Sequence, residues 1–297
     1  MKKTIKNIGQ SVKDRLLQVS RHTGVPFMTI LVRYIQERLL YRLSQSAYRD
    51  NFFLKGGALL YAFNHEEARP TKDIDFLGTK VNSDQEHIKS IFAEIVAVPC
   101  EPDGVIFDSS SVMVEDITPE RRYTGRRVFV MASLDSVRQL ISMDIGFGDV
   151  VTPGPQDLEY PLLLEDSPEV RILAYSLETV VAEKFEAMIS LSVNNSRMKD
   201  FFDVYEILRC GHMNSTVLFE AIKNTFKNRN TSYIENHPLF STEFYTDVDR
   251  VARWNGFLKG IKWPSEISFE TIGETIISEL SAYWVMISEE QKLTEQS

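Results

Sequence analysis

The strongest constraint on this chain's fold is a pair of short apolar runs carrying residues that a packed core does not accept. Phe52-Phe53-Leu54-Lys55 meets two consecutive glycines, Gly56 and Gly57, and continues into Ala58-Leu59-Leu60, which reads as the start of a helix. After a polar stretch, Asp73-Ile74-Asp75-Phe76-Leu77-Gly78 reads as a second strand. Strand side chains alternate with period two, so Asp73 and Asp75 share one face while Ile74 and Phe76 turn to the core. Two carboxylates about 4 Å apart at an effective dielectric near 20 repel by roughly 4 kcal/mol, so the pair calls for a cation. Oxygen donors suit a divalent one. The Gly-Gly step turns the backbone sharply and presents N–H groups at a helix start, which favours a phosphate. Taken alone, Asp-x-Asp is usually a solvated strand end and Gly-Gly a simple turn. In this order they place a metal and a phosphate at one sheet edge.

The flanking segments are legible by period. Val12, Leu16, Leu17 and Val19 predict a helix stopping near Gly24, and Pro26 opens a longer one carrying Ile30, Leu31, Tyr34, Ile35, Leu39 and Leu40. Ser83-Asp84 caps a helix whose apolar face is Ile88, Ile91, Phe92 and Ile95. Strand character then returns at 104–107 running into 111–114, at 127–131 and at 140–147. In the last, Ile141, Met143, Ile145 and Phe147 share one face, and Asp144 lies on the other with Ser142 and Gly146. Short neighbours leave room for a ligand, so Asp144 is a candidate third acid. A polar residue on the open face of an antiparallel sheet accounts for it equally well.

Val151-Thr152-Pro153-Gly154-Pro155, with Pro161 and Pro168, marks a change of character, after which the pattern is helical. Ser176 caps a helix to Ser190, and 198–209 forms another. Trp254, Trp263 and Trp284 are expected core anchors, and the polar end from Gln291 is expected to fray. On the first helix Leu177, Val181, Lys184 and Met188 form one stripe. Lys184 therefore either snorkels, its stem covering apolar surface, or points into a cleft toward nucleotide phosphates. Asp200 and Asp203 share a face of the next helix, with Phe201, Tyr205 and Leu208 as its packing stripe. Asp200 also suits a helix start. Asp203, with apolar neighbours, is a candidate to position Lys184 or a nucleotide hydroxyl.

Composition excludes several classes. The 297 residues, 43% hydrophobic and 25% charged, suit one large or two modest globular domains. No run approaches a membrane span, and the start resembles no signal peptide, so a cytoplasmic location is expected. Cys100 and Cys210 are isolated, and His22, His65, His87, His212 and His237 show no paired spacing, so they are read as surface or loop residues. A net charge of −9 argues against a general nucleic-acid coat protein.

Assembled, these segments resemble the AbiEii/AbiGii toxin family of nucleotidyltransferases, including the MenT-like toxins, within the DNA polymerase β-like superfamily. The likeness rests on 34–43, Leu54-Lys55-Gly56-Gly57-Ala58, Asp73-Ile74-Asp75, Asp144-Ile145-Gly146-Phe147-Gly148, Ala182-Glu183-Lys184 and Lys199-Asp200-Phe201-Phe202-Asp203. It implies an α+β fold, with a minimal nucleotidyltransferase mixed sheet and flanking helices joined to a helical C-terminal domain. The corresponding division is a helical lead-in at 1–50, a core at 51–165 and helices at 166–297. It further implies Mg²⁺ or Mn²⁺, an NTP as substrate, and transfer of its NMP to an acceptor, RNA and the 3′ end of tRNA first. A cognate antitoxin is an implied partner. Asp73, Asp75 and Asp144 would then be metal ligands. Lys55, Gly56, Gly57, Lys184 and Asp200 would contact the nucleotide, with Asp203 as a further catalytic acid. The superfamily's usual Gly-Ser is Gly56-Gly57 here, which removes a hydroxyl from the phosphate site.

Two other classes use similar features. A glycosyltransferase also employs Asp-x-Asp with Mn²⁺, though no extended nucleotide domain precedes the acids here. A catalytically silent regulatory or immunity partner would share the fold, but has no reason to keep like charges packed together. For the acceptor, Arg121, Arg122, Arg126 and Arg127 around Tyr123-Thr124-Gly125 read as a cationic turn, with a solvated hairpin tip as the plain alternative. Lys223, Lys227 and Arg229 are the second candidate surface.

Overall fold

The computed structural model describes residues 7–64, 69–117, 125–210 and 213–295. Its first compact unit comprises 1–148 and 156–174, and its second 149–155 and 175–297. The boundary drawn at 165 from the prolines runs between the last two strands of the first unit, and the lead-in helices belong to that unit as well.

In the first unit, α1 (Ile8–Thr23) begins at Asn7, whose side chain accepts from the Gln10 N–H, and ends at Gly24 with φ 74°. α2 (Phe27–Gln45) follows Pro26. β1 (Phe52–Lys55) leads directly into α3 (Gly56–Asn64), and β2 (Asp73–Gly78) returns antiparallel beside β1. α4 (Gln85–Ala97) starts at Asp84, which accepts from the N–H groups of Glu86 and His87. The three strands expected next are β3 (Val105–Ile117), β4 (Gly125–Leu134) and β5 (Val137–Phe147). β3 is continuous, as 104–107 running into 111–114 implied, with a register shift between Asp108 and Met113 at the junction. β6 (Gln156–Tyr160) and β7 (Val170–Ala174) correct the expectation that helices resume after Pro155. Both are five residues long and flanked by prolines, whose loop signal outweighed them.

The described strands form one sheet of order β3-β4-β5-β2-β1-β7-β6, parallel at β2–β5 and β1–β7 and antiparallel elsewhere. One face is core: Leu54, Ile74, Phe76, Val128, Val130, Ile141, Met143 and Ile145 are buried, and α2 and α4 pack in the same unit. Phe52 stacks edge-on against Phe92 of α4 at 5.2 Å. The opposite face alternates to half-exposed residues and holds the acids.

α2 buries charge as well as apolar surface. Arg42 bonds Asp103 at 2.7 Å and the Val105 carbonyl at 3.0 Å, and Glu37 lies 2.6 Å from Arg38 while accepting from the Leu163 N–H at 2.7 Å. Burial pushes the Glu37 carboxyl up to about 7, against the pull of Arg38. A folded-state value above the ordinary 4.5 means its contribution is full below that pH and lost as pH rises through 7. Stability in urea should therefore fall between pH 5 and 7 by up to about 1.4 kcal/mol per pH unit, and Glu37→Gln should flatten that slope. An unchanged slope in the variant would assign the pH dependence elsewhere.

The second unit is helical. α5 (Leu177–Leu191) is capped by Ser176, which accepts from the Thr179 N–H, and α6 (Met198–Cys210) and α7 (Ser215–Arg229) follow. α8 (Thr242–Thr246), α9 (Val248–Ile261) and α10 (Phe269–Glu295) complete it. Trp254 and Trp284 are buried, and the half-buried Trp263 meets Phe202 at 4.7 Å. Gln291 is not frayed, since its amide bonds Tyr233 and Thr231. His237 is buried rather than a surface residue, with its ring bonded to the Ile189 carbonyl and the Leu239 N–H. Among the described residues, no helix is long and apolar enough to cross a membrane.

Candidate active site

Strand register assembles the first cluster. Lys55 on β1 is opposite Asp75 on β2, Asp75 is beside Asp144 on β5, and Asp144 is opposite Arg127 on β4. Directly opposed residues project to the same face, so these four form one row across four strands with signs plus, minus, minus, plus. The next row places Asp73 beside Ser142, whose hydroxyl donates to Asp73 Oδ1. Asp144 thus belongs with Asp73 and Asp75, and its strand neighbour Ser142 takes part too.

The glycines are required by contact as well as by turn geometry. Gly56 has φ 66°, and a Cβ there would stand 2.0 Å from Asp75 Oδ2 and 2.8 Å from its Cβ. The backbone of the α3 start is therefore pressed against the Asp75 side chain. A Cβ on Gly57 would lie 2.8 Å from Thr71 Cβ and 2.9 Å from Thr71 Oγ1. The hydroxyl missing at position 57 thus has a neighbour in its place, supplied from the segment entering β2, and Thr71 Oγ1 donates to the Asp73 carbonyl at 3.1 Å. Sequence reading passed over Thr71 because only the close approach of the two segments reveals it.

Arg127 is the residue whose role differs most from expectation. Its Nε and Nη2 each donate to one oxygen of Asp144 at 2.7 Å, a two-pronged pair with Arg127 42% and Asp144 22% exposed. Hydrogen bonding to Asp144, helped by the charges of Asp144, Asp73 and Asp75, holds the guanidinium even more firmly protonated than usual. Arg126 is likewise occupied, by Asp116 and the Ser83 carbonyl. Half of the expected cationic turn is thus engaged with its own unit, while Arg121 and Arg122 lie outside the described residues.

A divalent ion fits part of this donor set. Among the described residues no group of three His, Cys, Asp or Glu side chains stands ready as a metal site. Asp144 offers both oxygens to Arg127 instead. Mg²⁺, however, is commonly held by one or two carboxylates plus substrate phosphates, and Asp73 and Asp75 provide two hard oxygen donors on one face. The guanidinium of Arg127 already stands in as a cation attracted by all three acids.

The second cluster lies inside the helical unit. Lys184 Nζ donates to Asp200 Oδ1 at 2.7 Å and Asp203 Oδ2 at 2.8 Å, and Arg197 Nε lies 2.7 Å from Asp200 Oδ2. The Asp200 and Asp203 side chains are 0% and 1% exposed, and Lys184 13%. Snorkelling is thereby excluded. Burial opposes charge on Lys184, yet the pull of Asp203 and Asp200 outweighs it and the ammonium is held above its usual range. Burial likewise opposes Asp200, but Lys184 and Arg197 win and hold its carboxyl below its usual range. α6 buries Phe201, Phe202, Val204, Tyr205 and Ile207, so it is wrapped on most sides rather than along one stripe. The second candidate acceptor surface is also spoken for in part. Arg229 pairs with Asp149 and Glu186 at 2.8 Å each, and Lys223 with Glu220 at 2.8 Å.

Comparison with known proteins bears on the family and the fold. No curated protein matches the chain significantly. A crystal structure of a proposed nucleotidyltransferase from H. pylori aligns with a TM-score of 0.50 at 14% identity, covering 91% of this chain and 99% of that one. At that identity the likeness speaks for the fold alone, an α+β mixed sheet with helices. The Helicobacter pylori protein JHP933 aligns less well, with a TM-score of 0.45 at 14% identity over 89% of this chain and 95% of its own. The sequence profile described as "Nucleotidyl transferase AbiEii toxin, Type IV TA system" matches residues 38–274, which span both clusters. The chain therefore belongs to the AbiEii family of nucleotidyl transferase toxins of type IV toxin–antitoxin systems, and its enzymatic class is that of a nucleotidyltransferase.

Proposed function

We propose that the enzyme moves a nucleoside monophosphate from an NTP to RNA, with the 3′ end of tRNA as the foremost acceptor, in a reaction dependent on Mg²⁺ or Mn²⁺. The observation that carries this reading is the row of Lys55, Asp75 and Asp144 beside the glycine start of α3. Asp73 and Asp75 would hold the divalent ion, which when bound supplies charge neutralisation for the triphosphate and the departing pyrophosphate. The remaining work falls to the chain. The first N–H groups of α3, at Gly56 and Gly57, favour a phosphate, and Lys55 adds positive charge beside them. A carboxylate oxygen of Asp144 accepts the proton of the attacking hydroxyl.

Within the helical unit, Lys184 is the proposed nucleotide-contacting ammonium, two of whose three N–H donors Asp200 and Asp203 take. The family description supports a cognate antitoxin as partner and an effect on bacterial growth. A cytoplasmic location accords with an NTP substrate.

Incubating the purified protein with each labelled NTP and total RNA, with and without EDTA, tests the reading. Pyrophosphate should be released from one or more NTPs, label should appear on tRNA-sized RNA, and EDTA should abolish both. Label on protein alone would overturn the RNA acceptor, and release that persists in EDTA would overturn the metal.

A further inference from the structure

Arg127 holds both oxygens of Asp144, one of three acids on the half-exposed face, while remaining nearly half exposed itself. We propose that Arg127 is a triphosphate-binding residue that exchanges its partner Asp144 for the NTP when the substrate binds. This rests on the reading that the NTP binds beside Asp73 and Asp75.

Three observations support it. First, Asp75 and Asp144 are directly adjacent on parallel strands, an unfavourable placement of like charges, and Arg127 is the cation that relieves it at the Asp144 end of the row, as Lys55 lies opposite Asp75 at the other. A divalent ion would do the same job, so the ion and the Asp144-bound guanidinium are alternatives. Second, the planar fork that matches a carboxylate also matches a phosphate, so no new geometry is needed for the exchange. Third, the neighbouring arginine is not equivalent. Arg126 is tied to Asp116 and the Ser83 carbonyl and is 15% exposed, against 42% for Arg127. Once an ion neutralises the acids, a triphosphate is the strongest anion within the row's reach, and Asp144 regains the lone pairs that proton acceptance requires.

The test separates metal binding from nucleotide binding. Mn²⁺ alone is titrated by electron paramagnetic resonance, and each NTP with non-reactive Ca²⁺ by calorimetry, on wild type, Arg127→Gln, Arg127→Lys and Asp75→Asn. Arg127→Gln should bind Mn²⁺ severalfold more tightly, because its internal competitor is gone. It should bind the NTP about ten- to a hundredfold more weakly, the range for a lost charged hydrogen bond. Arg127→Lys keeps a charge opposite Asp144 but not the fork, so its NTP affinity should fall in between. It also decides the matter should the Gln variant fail to fold. NTP affinity equal to wild type in Arg127→Lys, or in a folded Arg127→Gln, overturns the proposal and leaves Arg127 as a strut for Asp144. NTP binding indifferent to Asp75→Asn overturns the underlying site and this proposal together.

Discussion

Lys184→Met should destabilise the protein by about 3–5 kcal/mol at pH 8, the usual consequence of removing one partner from a buried ion pair. A snorkelling lysine would predict the reverse, since methionine preserves the stem and removes only a hydrated charge. The structure decides between them because Nζ sits between two carboxylates that are 0% and 1% exposed. The pH dependence adds an independent check. In the wild type the low Asp200 value contributes stability above the ordinary 3.8, lost as pH falls through the folded value. The high Lys184 value contributes below 10.5, lost as pH rises through its folded value. The cluster is therefore flat across neutral pH. In Lys184→Met the buried acids lose that compensation, their values rise, and the folded state takes up protons. The variant should regain stability as pH falls from 8 to 5, where the wild type gains none from this cluster. Equilibrium urea unfolding at both values measures this, and a variant within 1 kcal/mol of wild type at pH 8 would refute it.

The same cluster shows what the sequence could disclose. Spacing by three and four put Lys184 on an inward stripe and Asp200 with Asp203 on one face, but each helix was read by itself. What turns three candidate residues into one charged cluster is the packing of α5 against α6, a tertiary fact. The sheet repeats the lesson. Period-two alternation placed Asp73, Asp75 and Asp144 on polar faces, and the Gly-Gly step gave the strand-to-helix turn. Register was not available from alternation, and register is what sets Asp75 beside Asp144 and Arg127 opposite it. Arg127 therefore read as part of a basic turn with Arg121 and Arg122, because proximity in sequence was the only proximity visible. β6 and β7 were missed for another reason: prolines at 161 and 168 outweighed two runs of five residues. Val170, Ile172 and Ala174 do alternate inward on β7, a short local signal that the neighbouring prolines outweighed.

Gly56→Ala should reduce the rate of pyrophosphate release by more than about a hundredfold, the scale associated with moving a reacting group by roughly 1 Å. The added methyl would lie 2.0 Å from Asp75 Oδ2, 2.6 Å from Cγ and 2.8 Å from Cβ, so rotating the carboxylate alone does not clear it. The whole Asp75 side chain, or the start of α3, must shift. Either movement separates the carboxylate from the backbone N–H groups meant to hold the phosphate. Stability should fall as well, by about 1–2 kcal/mol for an L side chain at a φ of 66° and by about 1–3 kcal/mol more for the overlap with Asp75, so the rate is compared on the folded fraction. Gly57→Ala provides the comparison. Its methyl would meet Thr71 Cβ at 2.8 Å and Oγ1 at 2.9 Å, so the segment entering β2 must shift by a few tenths of an ångström, a movement that falls on Thr71 and not on the Asp75 carboxylate. Its loss of rate should be at least tenfold smaller. Initial rates and thermal unfolding of both variants supply the readout. A folded Gly56→Ala enzyme with wild-type rate would remove Asp75 from the reaction, whereas equal losses in the two variants would place the damage in the turn as a whole rather than in the contact between Gly56 and Asp75.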